Sequence, residues 1–270
     1  MLPTARSILH YPITASYRAD TNAWITAATG SYSTAQIQAL DALLGGLTTD
    51  SLLSKMDRIW HSGFGDNSDD SLRDFVGRHV ATLVNDPSFA RRQGFTGNGT
   101  NSYVNTNYIP SSGANWGLDS ATGLVFVRNH VYIGARRVFG VNNASNANQT
   151  TLGYEGATQN YFARANNSAS SSSTNPQASL LAGWGGVTRT DSTKVNLLRT
   201  SSYVVGSVTT TSTGVATIAM FVGAANNNGT AERWVSSQIS SIAFGSGFTP
   251  TDYTNWQARF ATFHTAIGFS

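Results

Sequence analysis

The sequence of 270 residues contains no cysteine, which excludes disulfides, thiolate nucleophiles, iron–sulfur clusters and every zinc site that uses cysteine. Charged residues are scarce, at 11% of the chain, against about 25% in an ordinary soluble domain. Lysine and glutamate are nearly absent: 15 of the 17 basic residues are arginine, and Glu155 and Glu232 are the two glutamates. No apolar run reaches the length of about 18 residues that a membrane span needs, and the N-terminal stretch has no continuous apolar core. We therefore expect neither a membrane span nor a signal peptide.

Neutral polar residues take the place of ions, with 32 serines, 32 threonines and 22 asparagines. Because 40% of the residues are hydrophobic and 11% aromatic, the chain can fill a large core and is expected to fold. A net charge of +3 gives a chain of this length only a weak electrostatic field. The arginines are scattered, apart from the pairs Arg91-Arg92 and Arg136-Arg137, so nucleic acid is not an expected partner. Neutral hydroxyl and amide surfaces favour a subunit of a fixed assembly, which can bond to neighbours without desolvating ions.

The N-terminal part divides into two segments. Residues 1–30 have no helical or strand period and are predicted to form an extended arm. Residues 31–65 are predicted to be helical, with Ser33 or Thr34 as the first cap and a second short helix after Asp50. The apolar positions at helical spacing are Ile37, Leu40, Leu43, Leu44 and Leu47, followed by Leu52, Leu53, Met56, Ile59 and Trp60.

From 66 to 270 the chain consists of short β-branched and aromatic runs separated by Gly, Asn and Ser, which predicts a β-sandwich or barrel closed by a C-terminal helix. Thr249 is the expected cap of that helix, Pro250 its first residue and Asp252 the acid of a capping box. Its large side chains follow at spacings of 3 and 4: Tyr253, Trp256, Phe260, Phe263 and Ile267. The pattern is typical of packing on the sandwich, and a helical seam between subunits is the alternative.

Two groups of motifs resemble one known family in the same order. The first group comprises HVATLVNDPSF (79–89) and RQGFTGNGTNSYVNT (92–106). The second group comprises LRTSSYVV (198–205), FVGAANNNGT (221–230), SSQI (236–239) and the helix ending in AIG (266–268). These runs are similar to segments of the concanavalin A-like (laminin-G-like) jelly rolls of tailed-phage virion structural proteins. The resemblance covers roughly residues 70–268.

The resemblance implies a two-sheet antiparallel jelly roll that resides in the virion. The chain lacks the long repetitive shaft of tail fibres, so we expect a capsid decoration, head fibre or adaptor subunit attached by its N-terminal region. Its partners would be capsid or tail subunits and further copies of itself. The residues expected to anchor it on the particle are Ile8, Tyr11, Ile13, Tyr17 and Trp24.

The alternative is a tail-fibre or spike module that binds host surface glycans. Three tryptophans lie near segments rich in Gly, Asn and Ser, where an exposed ring can stack on a pyranose. They are Trp116, Trp184 and Trp234, and packing in the core is the competing interpretation of each.

Catalytic motifs are absent from the sequence. Glycoside hydrolysis needs two carboxyl groups about 5–10 Å apart. Glu155 and Glu232 are isolated in sequence, although distant acids can meet in space. No Gly-x-Ser-x-Gly motif occurs. We therefore predict a protein that is not an enzyme and uses no cofactor, while glycan depolymerisation stays an alternative to be tested.

Metal ligands at recognisable spacing are also absent. The one acidic cluster is formed by Asp66, Ser68, Asp69 and Asp70. It is predicted to be a turn whose carboxylates bind backbone donors, with calcium binding as the alternative. The five histidines show no i, i+4 pair, so no helical zinc site is expected. They are predicted to be packing or surface residues.

Overall fold

The structure, a computed structural model, describes residues 16–131, 134–143, 148–156, 160–167, 172–176, 182–200 and 202–269. Within these ranges two β-sheets enclose an apolar core, and helices cover one of the sheets. This confirms the prediction of a mainly β protein with two sheets and a C-terminal helix. None of the helices described is both long enough and apolar enough to pass through a membrane.

Sheet A contains eight strands in the described part of the chain, all paired antiparallel. In spatial order they are β13 (Ser202–Thr209), β12 (Lys194–Arg199), β11 (Gly183–Arg189), β6 (Ala121–Asn129), β17 (Gln238–Gly245), β4 (Gly94–Thr96) and β3 (Ser88–Ala90), with β1 (Met56–Trp60) also on β17. Strand β17 holds both β4 and β1 because it is long: β4 pairs with its first residues and β1 with its last.

Sheet B contains nine strands in the same described ranges. In spatial order they are β10 (Ser172–Pro176), β9 (Asn160–Asn167), β8 (Gln149–Tyr154), β7 (Arg136–Asn142), β14 (Phe221–Val222), β5 (Tyr103–Asn105) and β2 (Thr82–Val84), with β15 (Ala225–Asn227) on β7 and β16 (Thr230–Glu232) on β15. Strand β15 runs parallel to β7, whereas the other pairs are antiparallel.

Two apolar clusters hold the layers together. The first lies between the sheets, and the second lies between sheet A and the helices. Among the described residues, the second cluster includes side chains of sheet A, such as Leu124 and Trp184, but none from a strand of sheet B. The helices described therefore pack on sheet A and not on sheet B.

The segment predicted as an extended arm includes helix α1 (Ala19–Ala27), so the prediction is wrong for these residues. Helix α1 has no side-chain cap, and helices this short are marginal unless tertiary contacts hold them. Those contacts come from Trp24, which is 1% exposed and packs on Phe64 and Phe75 with ring centroids 5.2 and 5.7 Å away. The rest of the predicted arm, residues 1–15, including Ile8, Tyr11 and Ile13, lies outside the described residues.

The first helix of the predicted helical segment is confirmed as α2 (Thr34–Thr49), with a capping box between Ser33 and Gln36. The second predicted helix is wrong, because a short 3₁₀ turn at Leu53–Lys55 leads directly into strand β1. Strand β1 is buried on both faces: Ile59 belongs to the helical cluster and Trp60 to the inter-sheet cluster. A strand buried on both faces does not alternate between apolar and polar residues. Its continuous apolar run therefore cannot be told from that of a buried helix by periodicity alone.

A four-residue helix, α3 (Ser68–Ser71), precedes the sandwich, and α4 (Pro250–Ile267) closes the chain. The predicted capping box of α4 is confirmed between Thr249 and Asp252, and Gly268 ends the helix with a φ of +66°. Its four rings are at most 2% exposed and belong to the helical cluster: Tyr253, Trp256, Phe260 and Phe263. Packing on the sandwich, rather than a seam between subunits, accounts for their spacing.

Candidate functional site

Two of the three tryptophans expected to stack on a sugar are buried inside the chain. Trp116 is 5% exposed and donates from Nε1 to the side-chain oxygen of Asn166 at 3.1 Å. Trp184 is also 5% exposed and packs between Trp256 and Phe260. A ring without an exposed face cannot stack on a pyranose, which corrects this prediction for both residues.

The remaining predicted binding residues have mixed positions. Trp234 is half-buried, and its Nε1 is buried without a hydrogen-bond partner in the described part of the chain. Of the expected anchoring residues, Tyr17 is half-buried, and its carbonyl accepts a hydrogen bond from Asn22 at 2.9 Å. Trp24 is buried in the helical cluster, so its surface is used within this chain and is not available to a neighbour.

The acidic cluster connects the N-terminal segment to the sandwich. Asp70 accepts hydrogen bonds from the backbone N–H groups of Thr29 and Gly30 at 2.9 and 2.8 Å, and from the Tyr32 hydroxyl at 2.9 Å. Asp66 accepts from Ser31 N–H at 3.0 Å and pairs with two arginines. Within the described ranges no three His, Asp or Glu side chains gather as metal ligands would. Asp66 and Asp70 do bind backbone donors, as predicted, but these donors belong to Thr29, Gly30 and Ser31 and not to the turn itself.

A small cavity lies between the sheets, next to Trp60, Phe95 and Val104. Its lining is apolar apart from hydroxyl groups, and its volume of about 30 Å³ leaves room for about two water molecules. Trp60, one of the lining residues, has its Nε1 buried without a partner among the described residues. A saccharide is far larger than this space.

The outer side of sheet B carries two half-buried arginines, Arg137 and Arg164. Side chains alternate across strands β7, β8 and β9, so every second row of cross-strand partners points outward. The row that faces the core consists of Phe139, Leu152 and Ala163. The two outward rows, from β7 to β9, are Arg137, Gly153, Phe162 and Gly140, Thr151, Arg164.

The first outward row is a stack built around a glycine. The Arg137 guanidinium lies 4.2 Å from the centroid of the Phe162 ring, two strands away, and that of Arg164 lies 5.4 Å from the same centroid. The Arg137 side chain can cross β8 because Gly153 has no side chain: a Cβ there would lie 2.8 Å from Cδ of Arg137. Phe162 is fully buried although it belongs to neither core cluster. The two guanidinium groups are therefore held on an apolar support.

A third arginine borders this stack. The backbone N–H of Arg137 donates to the carbonyl of Arg233 at 2.9 Å. Arg233 pairs weakly with Glu232, Nε to Oε1 at 3.5 Å, and the two side chains are 45% and 39% exposed. Asn227 donates to Glu232 at 3.2 Å. We call this surface the arginine face and define it by Arg137, Phe162, Arg164, Arg233, Glu155 and Glu232.

Arg233 has a backbone conformation that arginine seldom adopts. Its φ is +59°, in the left-handed region that favours glycine and asparagine. A residue with a Cβ held there costs on the order of 1–3 kcal/mol, and such strain is concentrated at functional positions. The chain nevertheless has an arginine at this position, next to Arg137, and its backbone is strained as a result.

The electrostatics of the arginine face centre on Arg137. Burial, together with the neighbouring cations Arg233 and Arg164, lowers the pKa of Arg137 to about 9, and Glu155 and Glu232 act in the opposite direction. The fold thus brings the two glutamates of the chain, isolated in sequence, to the surroundings of one arginine. Planar donors of this kind bind oxyanions and hydroxyl groups.

The pair Arg136-Arg137 and the two glutamates stand out in the sequence, but nothing in their spacing connects them. The face is assembled from β7, β9 and the residue after β16, which are separated by up to about a hundred positions along the chain. The signals present in the sequence are Gly153, which leaves room for a side chain from a neighbouring strand, and Phe162 close to Arg164 in a strand-like run.

Comparisons with known proteins give structural matches only. No protein-family model matches the chain, and no curated protein matches it. A mutant of Trypanosoma rangeli sialidase displaying trans-sialidase activity is similar with a TM-score of 0.54 and 9% identity over 84% of this chain and 39% of that chain. The same sialidase in complex with sialic acid gives a TM-score of 0.52 with the same identity and coverage. Domain 4 of AbnA, a GH43 extracellular arabinanase from Geobacillus stearothermophilus, gives 0.47 and 13% identity over 75% of this chain and 98% of that domain.

The chain thus spans about two fifths of the length of the sialidases it matches. At such low identity the likeness shows a shared fold and nothing about activity. It does correct the prediction that the protein is not an enzyme, because chains named as sialidases contain this fold. The β-sandwich gives no ground for excluding enzymatic activity.

Proposed function

We propose that this chain is a carbohydrate-binding module and that its arginine face holds the glycan. The observation that carries the proposal is the pair of guanidinium groups lying on the Phe162 ring, on the outer side of sheet B, where the missing side chain of Gly153 lets Arg137 reach across β8. A guanidinium is a planar fork of donors, and stacking on a ring orients it before a ligand arrives, which reduces the entropic cost of binding. Glu232 adds acceptors for sugar hydroxyls.

Two further points support this proposal. The T. rangeli sialidase that shares the fold was solved with sialic acid, a carbohydrate, and we propose the same broad class of ligand for this chain. The inter-sheet cavity is too small for a sugar, and neither Trp116 nor Trp184 has an exposed face, so the arginine face is the described surface best suited to a saccharide.

We also propose that the sandwich is a concanavalin A-like jelly roll and that it belongs to a phage virion. The support comes from the two ordered groups of motifs and from the ion-poor, Ser/Thr/Asn-rich composition. Glycan binding favours a tail fibre or spike module, whereas a capsid decoration, head fibre or adaptor subunit needs only an attachment to its neighbours.

The glycan proposal is tested with Arg137→Met on an array of bacterial and animal saccharides. Methionine keeps an apolar stem over Phe162 but removes the guanidinium, so we expect binding to fall by about tenfold or more. The matched control is Arg128→Met, which removes a guanidinium from another ring, that of Phe269 at 5.1 Å, on the side of sheet A. We expect the control to bind like the unmodified protein. Absence of binding to every saccharide, or equal loss in both variants, would contradict the proposal.

The virion proposal is tested by truncation. Deleting residues 1–30 would also remove Trp24 and its contacts with the core, so the informative variant starts at residue 16. We expect this variant to keep the melting temperature of the full chain and to be missing from purified particles, because it lacks Ile8, Tyr11 and Ile13. Incorporation at the normal copy number would contradict anchoring by these residues.

A further inference from the structure

Resting on the proposed carbohydrate binding, we propose that the glycan is acidic and that Arg137, Arg164 and Arg233 together bind one oxyanion on it, a carboxylate, sulfate or phosphate. Arg137 and Arg164 meet at the Phe162 ring from β7 and β9, and the carbonyl of Arg233, which follows β16, accepts the backbone N–H of Arg137. The charge of Arg233 acts on both of the other guanidinium groups. An arginine fork matches the geometry of a planar or tetrahedral oxyanion better than that of an isolated hydroxyl group.

The guanidinium of Arg137 contacts backbone carbonyls rather than a carboxylate. Its Nη1 donates to two backbone carbonyls, those of Arg136 and Tyr154, both at 3.1 Å, and it forms no ion pair with a carboxylate among the described residues. Burial and two neighbouring cations depress its pKa. A bound anion would remove this repulsion, whereas a neutral sugar would leave it in place.

The glutamates limit what kind of anion fits. Glu155 and Glu232 lie close enough to Arg137 to counteract the effect of the other arginines on its pKa. The positive charge of the three arginines thus has the negative charge of the two glutamates beside it. The glutamates would repel a nucleic-acid backbone, which carries a row of phosphates, but leave room at the arginines for a single acidic group. The same carboxylates can accept the hydroxyl groups of the sugar that bears it. The pattern favours an acidic saccharide over a nucleic acid.

The strained backbone of Arg233 provides a way to separate ligand binding from folding. At a φ of +59°, glycine relieves strain, so Arg233→Gly is expected to fold at least as stably as the unmodified chain. Arg78 is a matched control because its φ is +58°, its side chain is exposed, and it lies in the turn before β2, outside the arginine face. Arg78→Gly therefore makes the same change in charge and the same backbone relief elsewhere.

The experiment measures binding to pairs of saccharides that differ only in the acidic group: a uronic-acid oligosaccharide and its methyl ester, a sialylated glycan and its asialo form, and a sulfated glycan and its desulfated form. In each pair that binds, we expect the acidic member to bind at least about tenfold more tightly. Arg233→Gly should lose about tenfold on that member, and Arg78→Gly should change it by less than about twofold. The three pairs show whether carboxylate or sulfate is preferred.

The remaining outcomes separate this inference from the function on which it rests. Equal binding of acidic and neutral members, or equal effects of the two glycine variants, would overturn the inference while carbohydrate binding stands. If a single-stranded oligonucleotide binds as tightly as the best acidic saccharide, the inference is also overturned. If no saccharide binds at all, the proposed function itself fails.

Discussion

Replacing Asp57 with alanine is expected to lower the free energy of unfolding by about 3–5 kcal/mol. The Asp57 side chain is buried on β1, where the residue is 6% exposed, and it accepts three hydrogen bonds. The donors are the Tyr108 hydroxyl at 2.8 Å and the backbone N–H groups of Asn115 and Trp116 at 2.9 and 3.1 Å. Removing the carboxylate leaves three donors unpaired away from water, and each unpaired buried donor costs about 1–3 kcal/mol.

Urea unfolding monitored by tryptophan fluorescence measures this loss. The matched control is Asp191→Ala: Asp191 is exposed and accepts from the N–H and hydroxyl of Thr193 at 2.7 and 2.9 Å, where water can replace it. We expect the control to cost less than about 1 kcal/mol. Similar losses in both variants would mean that Asp57 does not fasten β1 to the segment before β6.

Strand β1, which carries Asp57, is an element that the local sequence does not predict. The closing helix α4 was predictable because its cap, its first proline and its row of rings are adjacent in sequence. Strand β1 was not, because the partners that make it a strand are at the other end of the chain, with Met56 opposite Gly245 and Trp60 opposite Ile242. Local pattern predicts elements whose stabilising contacts are local, and β1 has none of these.

The candidate site has the same explanation. Tryptophans in polar, glycine-rich segments looked exposed, but Trp116 and Trp184 are buried by side chains from elements distant in sequence. The arginine face was missed for the converse reason, since Arg137 and Phe162 come together only when β7, β8 and β9 align in register. Glu155 and Glu232, isolated in sequence, likewise come together only in the fold, where both act on the pKa of Arg137.

The second large effect comes from a pair of histidines that the sequence predicted only as packing or surface residues. His61, which is 2% exposed, follows β1, and its Nε2 lies 2.8 Å from Nε2 of His264 on α4. Phe260 stacks on the His61 ring and Phe269 packs on the His264 ring. The nearby charge is a cation, Arg128, over the Phe269 ring at 5.1 Å. An imidazolium in this position has no carboxylate to stabilise it among the described residues, so both rings are neutral in the folded protein.

Acidification from pH 7 to pH 5 is therefore expected to destabilise the protein. Burial lowers the pKa of His264 from 6.5 to about 4, and burial and then His264 itself lower the pKa of His61. Between those values the unfolded chain binds more protons than the folded one, so stability is complete above about pH 7 and falls as the pH drops. His264 alone accounts for about 2 kcal/mol of the loss of unfolding free energy between pH 7 and pH 5.

The test is His264→Gln, whose amide can still pair with His61. Urea unfolding of this variant at the two pH values should show a loss of unfolding free energy that is smaller by that amount. Because desolvation causes the shift, 1 M salt should leave the difference in place. An equal fall in both proteins would show that the histidine pair does not set the acid limit of the fold.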